Sequence, residues 1–371
     1  MNDILDVRNL RVYFYDEEGN ELRIVDGVDI KIEKGTIHGL IGESGSGKSV
    51  LALALMRLIP PMPGYNFPSN EVSKEIHRDE IALLFPSQTR EQFKKKSLTS
   101  LFGFRTFKRT YHHEWEVTGE VFYKDLDLLK LPEEKMNEIR GKDISAIWQN
   151  PIPSLNPLRT VGWQTGEPLE IHEDINSRRI RELVLEYLGK VEIPEAKKRY
   201  TRLPREFSQG EGQRIMISMA LITNPSLLIA DEPLASLDTT VQRRVMELLK
   251  ILKKEFNLSM LLITHNLGVI AEMSDKVSVI YAGRIQETGS VRDIYHNPLH
   301  PYTRGLISSI PRVDVEVELK PIPGEPPDPR NPISGCRFHP RCYQATSLCQ
   351  DKEPLLREVE EGHKVACWGQ A

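Results

Sequence analysis

The sequence predicts an α/β protein whose core is a buried parallel sheet, and three observations predict it. Leu227 to Ala230 and Met260 to Ile263 are short, almost wholly apolar runs, the pattern of strands covered by helices on both faces. Residues 42–49 read G-E-S-G-S-G-K-S between an apolar strand, Ile37 to Ile41, and an apolar helical stretch, Val50 to Leu58. Strand and helix signals then continue to about Thr303, and 371 residues are enough for a large core and more than one domain.

Taken in order, residues 4 to 40 alternate apolar or β-branched runs with turns at Asp16 to Asn20 and Glu33 to Gly35, so an antiparallel strand set precedes the glycine-rich loop. Tyr13, Phe14 and Tyr15 lie in that set. Phe14 is the candidate to stack on a nucleotide base, with an aromatic on an edge strand as the alternative. Residues 64 to 115 change texture, becoming basic at Lys94, Lys95, Lys96, Arg105, Lys108 and Arg109 with Phe93, Leu101, Phe102, Phe104 and Phe107 interleaved. They read as a solvated surface insertion or, more sharply, as a patch touching acidic lipid or a membrane partner. Val117 to Tyr123 resumes strand character, and Pro132 to Gly141 fits a short helix begun by a proline. A mostly helical stretch from Thr160 to Met219 predicts a subdomain, about 152–222, inserted between core strands. Past Thr303, Pro311, Pro321, Pro323, Pro326, Pro327, Pro329 and Pro332 break regular structure, and a compact cysteine-bearing tail closes residues 304–371.

The loop has a direct chemical reading. Gly42, Gly45 and Gly47, with Ser44 and Ser46 between them, let consecutive backbone N–H groups converge on phosphate oxygens at a helix N-terminus. Lys48 reaches the outer phosphates of a nucleoside triphosphate, and Ser49 can ligate Mg2+.

Further motifs follow in fixed order: Gln149 in I-W-Q-N-P, F-S-Q-G-E-G-Q-R at Phe207 to Arg214, D-E-P at Asp231 to Pro233, S-L-D at Ser236 to Asp238, and T-H-N at Thr264 to Asn266. With the loop, they make the chain resemble the ATP-binding subunit of an ABC transporter from about Asp6 to Gly289. The resemblance implies a P-loop NTPase with a RecA-like core, an antiparallel β subdomain and an inserted helical subdomain, all within residues 1–303. Asp231 ends an apolar strand, where a carboxylate can hold Mg2+ through its water shell, and Glu232 is placed to orient or deprotonate the attacking water. The resemblance gives His265 a contact to the γ-phosphate, and makes Gln149 a sensor of γ-phosphate and Mg2+.

In this family two ATPases face each other head to tail, each ATP lying between one loop and the other subunit's signature segment. Asp238 joins the nucleotide set by the same resemblance. Ser208 and Gly210 match the usual L-S-G-G-Q signature and can contact a γ-phosphate, but Gln209 replaces its first glycine and Glu211 its glutamine. A side chain at 209 is expected to hinder close approach or alter the backbone, so the site that this segment completes is expected to turn over more slowly.

N-P-L-H-P-Y-T from Asn297 to Thr303, P-I-P-G-E-P-P-D-P and G-C-R-F-H-P-R-C are similar to the oligopeptide and dipeptide importers. The implied partners are two membrane permeases, a second, related ATPase and an extracytoplasmic solute-binding protein. Importers of nickel or oligosaccharides on the same scaffold are the alternative. The insertion at 64–115 is not part of that pattern.

Cys336, Cys342, Cys349 and Cys367 all fall in the tail, spaced C-x5-C-x6-C-x17-C. In a cytoplasmic protein such thiols suit an iron-sulfur cluster or Zn2+ rather than disulfides. The spacing lacks the C-x2-C pairs of zinc ribbons, and the resemblance favours a 4Fe-4S cluster, with Zn2+ and then no metal as the alternatives. Either metal would staple a proline-rich segment that lacks enough core to fold alone.

A net charge of −4 leaves no basic excess to suggest nucleic acid as a partner. The start M-N-D-I-L-D-V has neither the basic end nor the apolar run of a signal peptide, and no apolar stretch approaches the ~20 residues of a membrane span, so a peripheral place on the cytoplasmic membrane face is expected. A soluble ABC ATPase of DNA repair or ribosomes is the competing class, against which stand the lack of long heptads and of a second phosphate loop. A regulatory protein that only holds ATP is opposed by the presence of both Glu232 and His265.

Overall fold

The computed structural model describes residues 3–15, 19–59, 114–235, 237–309 and 322–370. The basic patch expected within 64–115 therefore lies outside the described residues up to position 113, as do Ser236, Pro311, Pro321 and part of the first turn. Residues 114 and 115 belong to a strand.

The antiparallel set is present. β1 (Asp3–Tyr15) pairs with β2 (Glu21–Glu33) on one side and β4 (Glu114–Tyr123) on the other, and the short β5 (Leu126–Asp127) adds to β4. β1 is thus an inner strand, which removes the edge-strand reading of Phe14.

A second sheet forms the core in the order β11-β12-β10-β9-β3-β8-β7-β6. Its parallel part is β3 (Ile37–Ile41), β6 (Ile144–Ile147), β7 (Leu227–Asp231), β8 (Ser259–Ile263) and β9 (Lys276–Tyr281). Successive side chains of a strand point to opposite faces, and both faces here are covered, which is why these strands are apolar throughout. Leu228, Ala230, Met260 and Leu262 face one layer, packed with helices of the 151–256 region and tail residues Tyr302 and Phe338. Leu227, Ile229, Leu261 and Ile263 face the other, packed with β1, β2 and α1 (Lys48–Leu55).

Between β6 and β7 lie α3 (Pro151–Ser154), α4 (Val161–His172), α5 (Ser177–Lys190), α6 (Ala196–Arg199) and α7 (Gln209–Leu221); α2 (Glu133–Ile139) precedes β6, directly after Pro132. Three of the inserted helices, α4, α5 and α7, start at side-chain caps: Thr160 accepts from the Trp163 N–H, Asn176 from Arg179 and Ser208 from Glu211. α8 (Thr239–Phe256) and α9 (Leu267–Met273) follow β7 and β8, and α10 (Val291–His296) and α11 (Pro301–Ser308) follow β10 (Arg284–Ser290).

The tail is built onto the core sheet. Beyond α12 (Ser347–Asp351), its strands β11 (Arg357–Glu360) and β12 (His363–Val365) extend the core sheet, β12 pairing antiparallel with β10. The buried carboxylate of Glu287 on β10 accepts from the N–H groups of Leu299 and His300 and lies 2.8 Å from His363 Nε2, locking α11 and β12 to one point. Arg337 pairs with buried Asp26 of β2. A short segment with too few apolar residues for its own core is stabilised by borrowing the core of the larger unit. Among the described residues no helix is long and apolar enough to cross a membrane.

Candidate nucleotide site

Strand register aligns the carboxyl ends of the parallel strands. Leu40 and Asp231 both lie opposite Ile263, and Ile147 lies opposite Ala230. The residues that follow, the loop from Gly42, Gln149, Glu232 and the Thr264–His265 pair, therefore gather along one edge of the sheet. Ligands of open α/β sheets bind at that edge.

Two glycines of the loop are required by space. A Cβ on Gly42 would lie 2.2 Å from the carbonyl oxygen of Ile280. Gly47 has φ 99°, and a Cβ there would lie 2.5 Å from the Ile24 carbonyl oxygen. α1 begins directly after Gly47, with no side chain capping it, so its first N–H groups remain available to an anion. Lys48 is buried; its Nζ donates to the carbonyl oxygens of Gly42 and Glu43, each at 2.8 Å. Burial lowers its pKa, against which Glu232, Asp231 and Glu43 act. Ser44 and Gly45 are exposed in the loop, while Ser46 is buried with Lys48.

Asp231 is buried and its Oδ1 has no hydrogen-bond partner. Burial raises its pKa, with Ser49 hydrogen bonding in the opposite direction. A buried, unpartnered carboxylate oxygen next to a serine hydroxyl is a donor set that fits Mg2+, which favours oxygen ligands. Exposed Gln149 stands at the same edge as a further oxygen donor.

Glu232 has φ 48°, a left-handed conformation that side-chain-bearing residues adopt rarely and that often marks a functional position. Its carboxylate accepts from Thr264 Oγ1 at 2.9 Å and from the His265 N–H at 2.9 Å, and lies 2.7 Å from His265 Nδ1. With Nδ1 carrying the proton, this bond orients the imidazole and leaves Nε2 for a further partner, on a side chain that is 67% exposed. Three accepted bonds leave Glu232 capacity for one more donor, such as a water. Thr264 was legible only as part of T-H-N; its hold on Glu232 depends on β7 and β8 being neighbours.

Phe14 is half-buried on β1, its ring centroid 4.9 Å from that of Trp115. Tyr13 and Tyr15 are engaged by their hydroxyls, with Asp26 and with Glu21 and Glu116. Asp238 caps α8, accepting from the Thr240 and Val241 N–H groups at 3.1 and 3.0 Å.

Ser208 caps α7 in a reciprocal box. Its Oγ accepts from the Glu211 N–H at 3.3 Å, and Glu211 Oε2 accepts from the Ser208 N–H at 2.9 Å. Gln209 is the first helical residue, exposed, and neither it nor Gly210 has a positive φ. The altered backbone expected of a residue in place of glycine is therefore not found, because that position is ordinary helix. Gly210 is needed for another reason: a Cβ would lie 2.9 Å from Val241 Cγ1 of α8. Arg199 holds the Glu211 carboxylate with both terminal nitrogens, and that bond lowers the glutamate pKa to about 2.

The four cysteines come together. Cys336, Cys342, Cys349 and Cys367 line one cavity of about 130 Å3, with Cys336 and Cys349 buried. Burial first, then its cysteine neighbours, push the Cys336 thiol up to about 11, and burial also raises Cys342 and Cys367. Among the described residues no group of three or more His, Cys, Asp or Glu side chains is arranged to hold a metal ion.

Residues 25–235 match the ABC transporter family, and residues 286–349 match the oligopeptide/dipeptide transporter C-terminal region. The chain is 39% identical over 367 residues to the oligopeptide transport ATP-binding protein OppD of Bacillus subtilis, covering 98% of this chain and 88% of that one. It is 37% identical over 370 residues to the dipeptide transport ATP-binding protein DppD of the same organism, covering 99% and 95%. The dimeric ATP-binding cassette MJ0796, solved with ADP and Pi, shares the fold, with a TM-score of 0.57 at 21% identity over 78% of this chain and 99% of that one. The ordered phosphate loop, the Asp231–Glu232 strand end and the C-terminal region thus agree with the whole-chain similarity: the chain belongs to the ABC transporter ATPases, in the group that carries the oligopeptide/dipeptide transporter C-terminal region.

Proposed function

We propose that the chain is the ATP-hydrolysing subunit of an importer of oligopeptides or dipeptides, acting on the cytoplasmic membrane face with two permeases, a second, related ATPase and an extracytoplasmic solute-binding protein. The carrying observation is the Glu232–His265 pair on the sheet edge that also bears Lys48 and the unpartnered oxygen of Asp231. The peptide solute is supported by the similarity to OppD and DppD over nearly the whole chain.

The residues divide the work. Phe14 takes the base, while the amides from Gly42 to Gly47 and the N-terminus of α1 bind the phosphates. Lys48 turns from its loop carbonyls to the outer phosphates, so its burial is offset by the ligand's charge. Ser49, Asp231 and Gln149 would hold Mg2+, which would supply charge neutralisation for the phosphates. Glu232 accepts a proton from the attacking water, and His265, oriented by Glu232, meets the γ-phosphate. From the facing subunit, the signature amides complete the pocket; this chain's Ser208, Gly210 and Asp238 do so for the other ATP.

Gln209 and Glu211 support an asymmetric pair, since the first puts a side chain where the usual signature has glycine and the second a charge where it has glutamine. Glu232→Gln should lower ATP turnover on the order of 100-fold or more while nucleotide binding survives, as expected when a base is removed and the pocket is kept. Unchanged turnover in the reconstituted transporter rejects the role. Equal losses from Glu232→Gln and from the matching change in the second ATPase reject the asymmetry, and uptake assays with labelled peptides, oligosaccharides and nickel decide the solute.

For the tail, we propose a 4Fe-4S cluster on Cys336, Cys342, Cys349 and Cys367. That all four thiols line one cavity, far apart in sequence as they are, supports it. Bound there, a cluster would cross-link the segment. Anaerobic purification with absorption spectra and iron, sulfide and zinc analysis tests this, and stoichiometric zinc without iron overturns it.

A further inference from the structure

We propose that Arg341 of the tail is a positioning residue of the nucleotide site, holding the phosphate loop and Lys48 through Glu43. This deepens the reading of residues 42–49 as the ATP cradle and is independent of the solute carried.

Every polar group of Glu43 is engaged. Its N–H donates to Tyr302 Oη at 2.9 Å, its carbonyl oxygen accepts from Lys48 Nζ at 2.8 Å and from the Ser46 N–H at 3.2 Å, and its carboxylate accepts from Arg341 Nη1 at 2.8 Å and Nη2 at 3.1 Å. Two of these partners, Tyr302 and Arg341, come from the C-terminal region, and a third is the lysine that grips phosphate. Arg341 is itself fixed. Its side chain is 6% exposed, its Nε donates to the Pro323 carbonyl oxygen at 2.9 Å, and its Nη1 also reaches Tyr281 Oη at 3.2 Å. Tyr302 packs against Tyr281 and Phe338, with ring centroids 4.7 and 5.3 Å apart. A forked guanidinium on a carboxylate fixes direction as well as charge, so the first half of the loop is held in place before nucleotide arrives.

Arg341 also precedes Cys342, which lines the thiol cavity. When Lys48 leaves the Glu43 carbonyl for a phosphate, the change is carried to Arg341 and into segment 336–342. Coupling of this kind is reciprocal: what tightens that segment favours nucleotide, and nucleotide tightens it.

The test is a titration of the full chain with a fluorescent ATP analogue and Mg2+, alongside hydrogen exchange of segment 336–342 with and without nucleotide. Arg341→Ala should weaken binding roughly 3- to 30-fold, the range of a lost charge-assisted pair, and abolish the nucleotide-dependent slowing of exchange. Arg341→Lys should restore part of the affinity, and Tyr302→Phe, which can still fill the aromatic cluster, should weaken binding about 2- to 5-fold. Tyr123→Phe is the control: its hydroxyl donates to Asp143 Oδ1 at 3.0 Å, touching neither the loop nor segment 336–342, so it should lower Tm and leave affinity unchanged. Unchanged affinity in Arg341→Ala, whatever its Tm, overturns the proposal. If that variant does not fold, unchanged affinity in both Arg341→Lys and Tyr302→Phe overturns it equally. Wild-type affinity in the same titration reports on the cradle itself, so the two failures are told apart.

Discussion

Two helix N-termini in this chain carry the proposed phosphate contacts, and they are built in opposite ways. α1 follows a left-handed glycine, has no side-chain cap, and leaves its first amides open beside Lys48. α7 is closed by its own sequence, Ser208 and Glu211 satisfying each other's amides and Arg199 neutralising the glutamate. An uncapped helix start costs stability unless a ligand supplies the missing acceptor. On the proposed reading the open end binds phosphate in the single chain, whereas the closed end is a finished surface that meets its ligand against a facing subunit.

Lys48→Ala should produce the largest separation between the two. Removing the one cation in the loop should weaken ATP binding on the order of 100-fold and leave the α7 end untouched, read by nucleotide titration and by hydrogen exchange over residues 207–214. Equal loss of protection at both ends would break the distinction. Gly47→Ala comes next. Its φ of 99° and the 2.5 Å approach to the Ile24 carbonyl oxygen predict about 1–3 kcal/mol of destabilisation together with lost binding, measured by denaturant unfolding. At the closed end, Ser208→Ala should cost about 1 kcal/mol of stability by removing the cap, without altering ATP binding by the single chain.

Acid sharpens the contrast with a smaller effect. His38 on β3, before the loop, is fully buried with Nε2 2.8 Å from Ser278 Oγ; burial and then Lys276, partly countered by Glu33, lower its pKa from 6.5 to about 4. A histidine depressed in this way contributes stability above pH 6.5 that is lost as pH falls toward 4, at up to about 1.4 kcal/mol per unit. Glu211 is depressed from 4.5 to about 2, chiefly by Arg199, so its contribution holds above pH 4.5 and fades only toward 2. Lowering the pH from 7 to 5 should therefore increase exchange around β3 and the loop while residues 207–214 stay protected. His300, behind Tyr302, is lowered by burial to about 3 and adds to the first effect.

The same division shows how far the sequence could be read. Gly42 to Ser49, Asp231, Glu232 and His265 were legible because each sits in a local pattern, an apolar strand ending at a polar residue, and strand ends of a parallel sheet gather on one edge. Ser208 to Glu211 was legible as a departure from a signature, yet not as a capping box whose charge Arg199 balances. Nothing local joins Arg199 to Glu211, or Arg341 to Glu43 across 298 positions. The arginine and tyrosine of G-C-R-F-H-P-R-C and N-P-L-H-P-Y-T could be read only as marks of a branch.

From the sequence alone came the fold class, the nucleotide chemistry and the family, because periodicity, glycine spacing and motif order are properties of neighbouring residues. Tertiary structure alone decided that the tail completes the core sheet, that four scattered thiols share a cavity, and that Glu43 is held from the far end of the chain. Those are contacts between distant segments, and which of the many possible pairings forms depends on how the whole sheet closes.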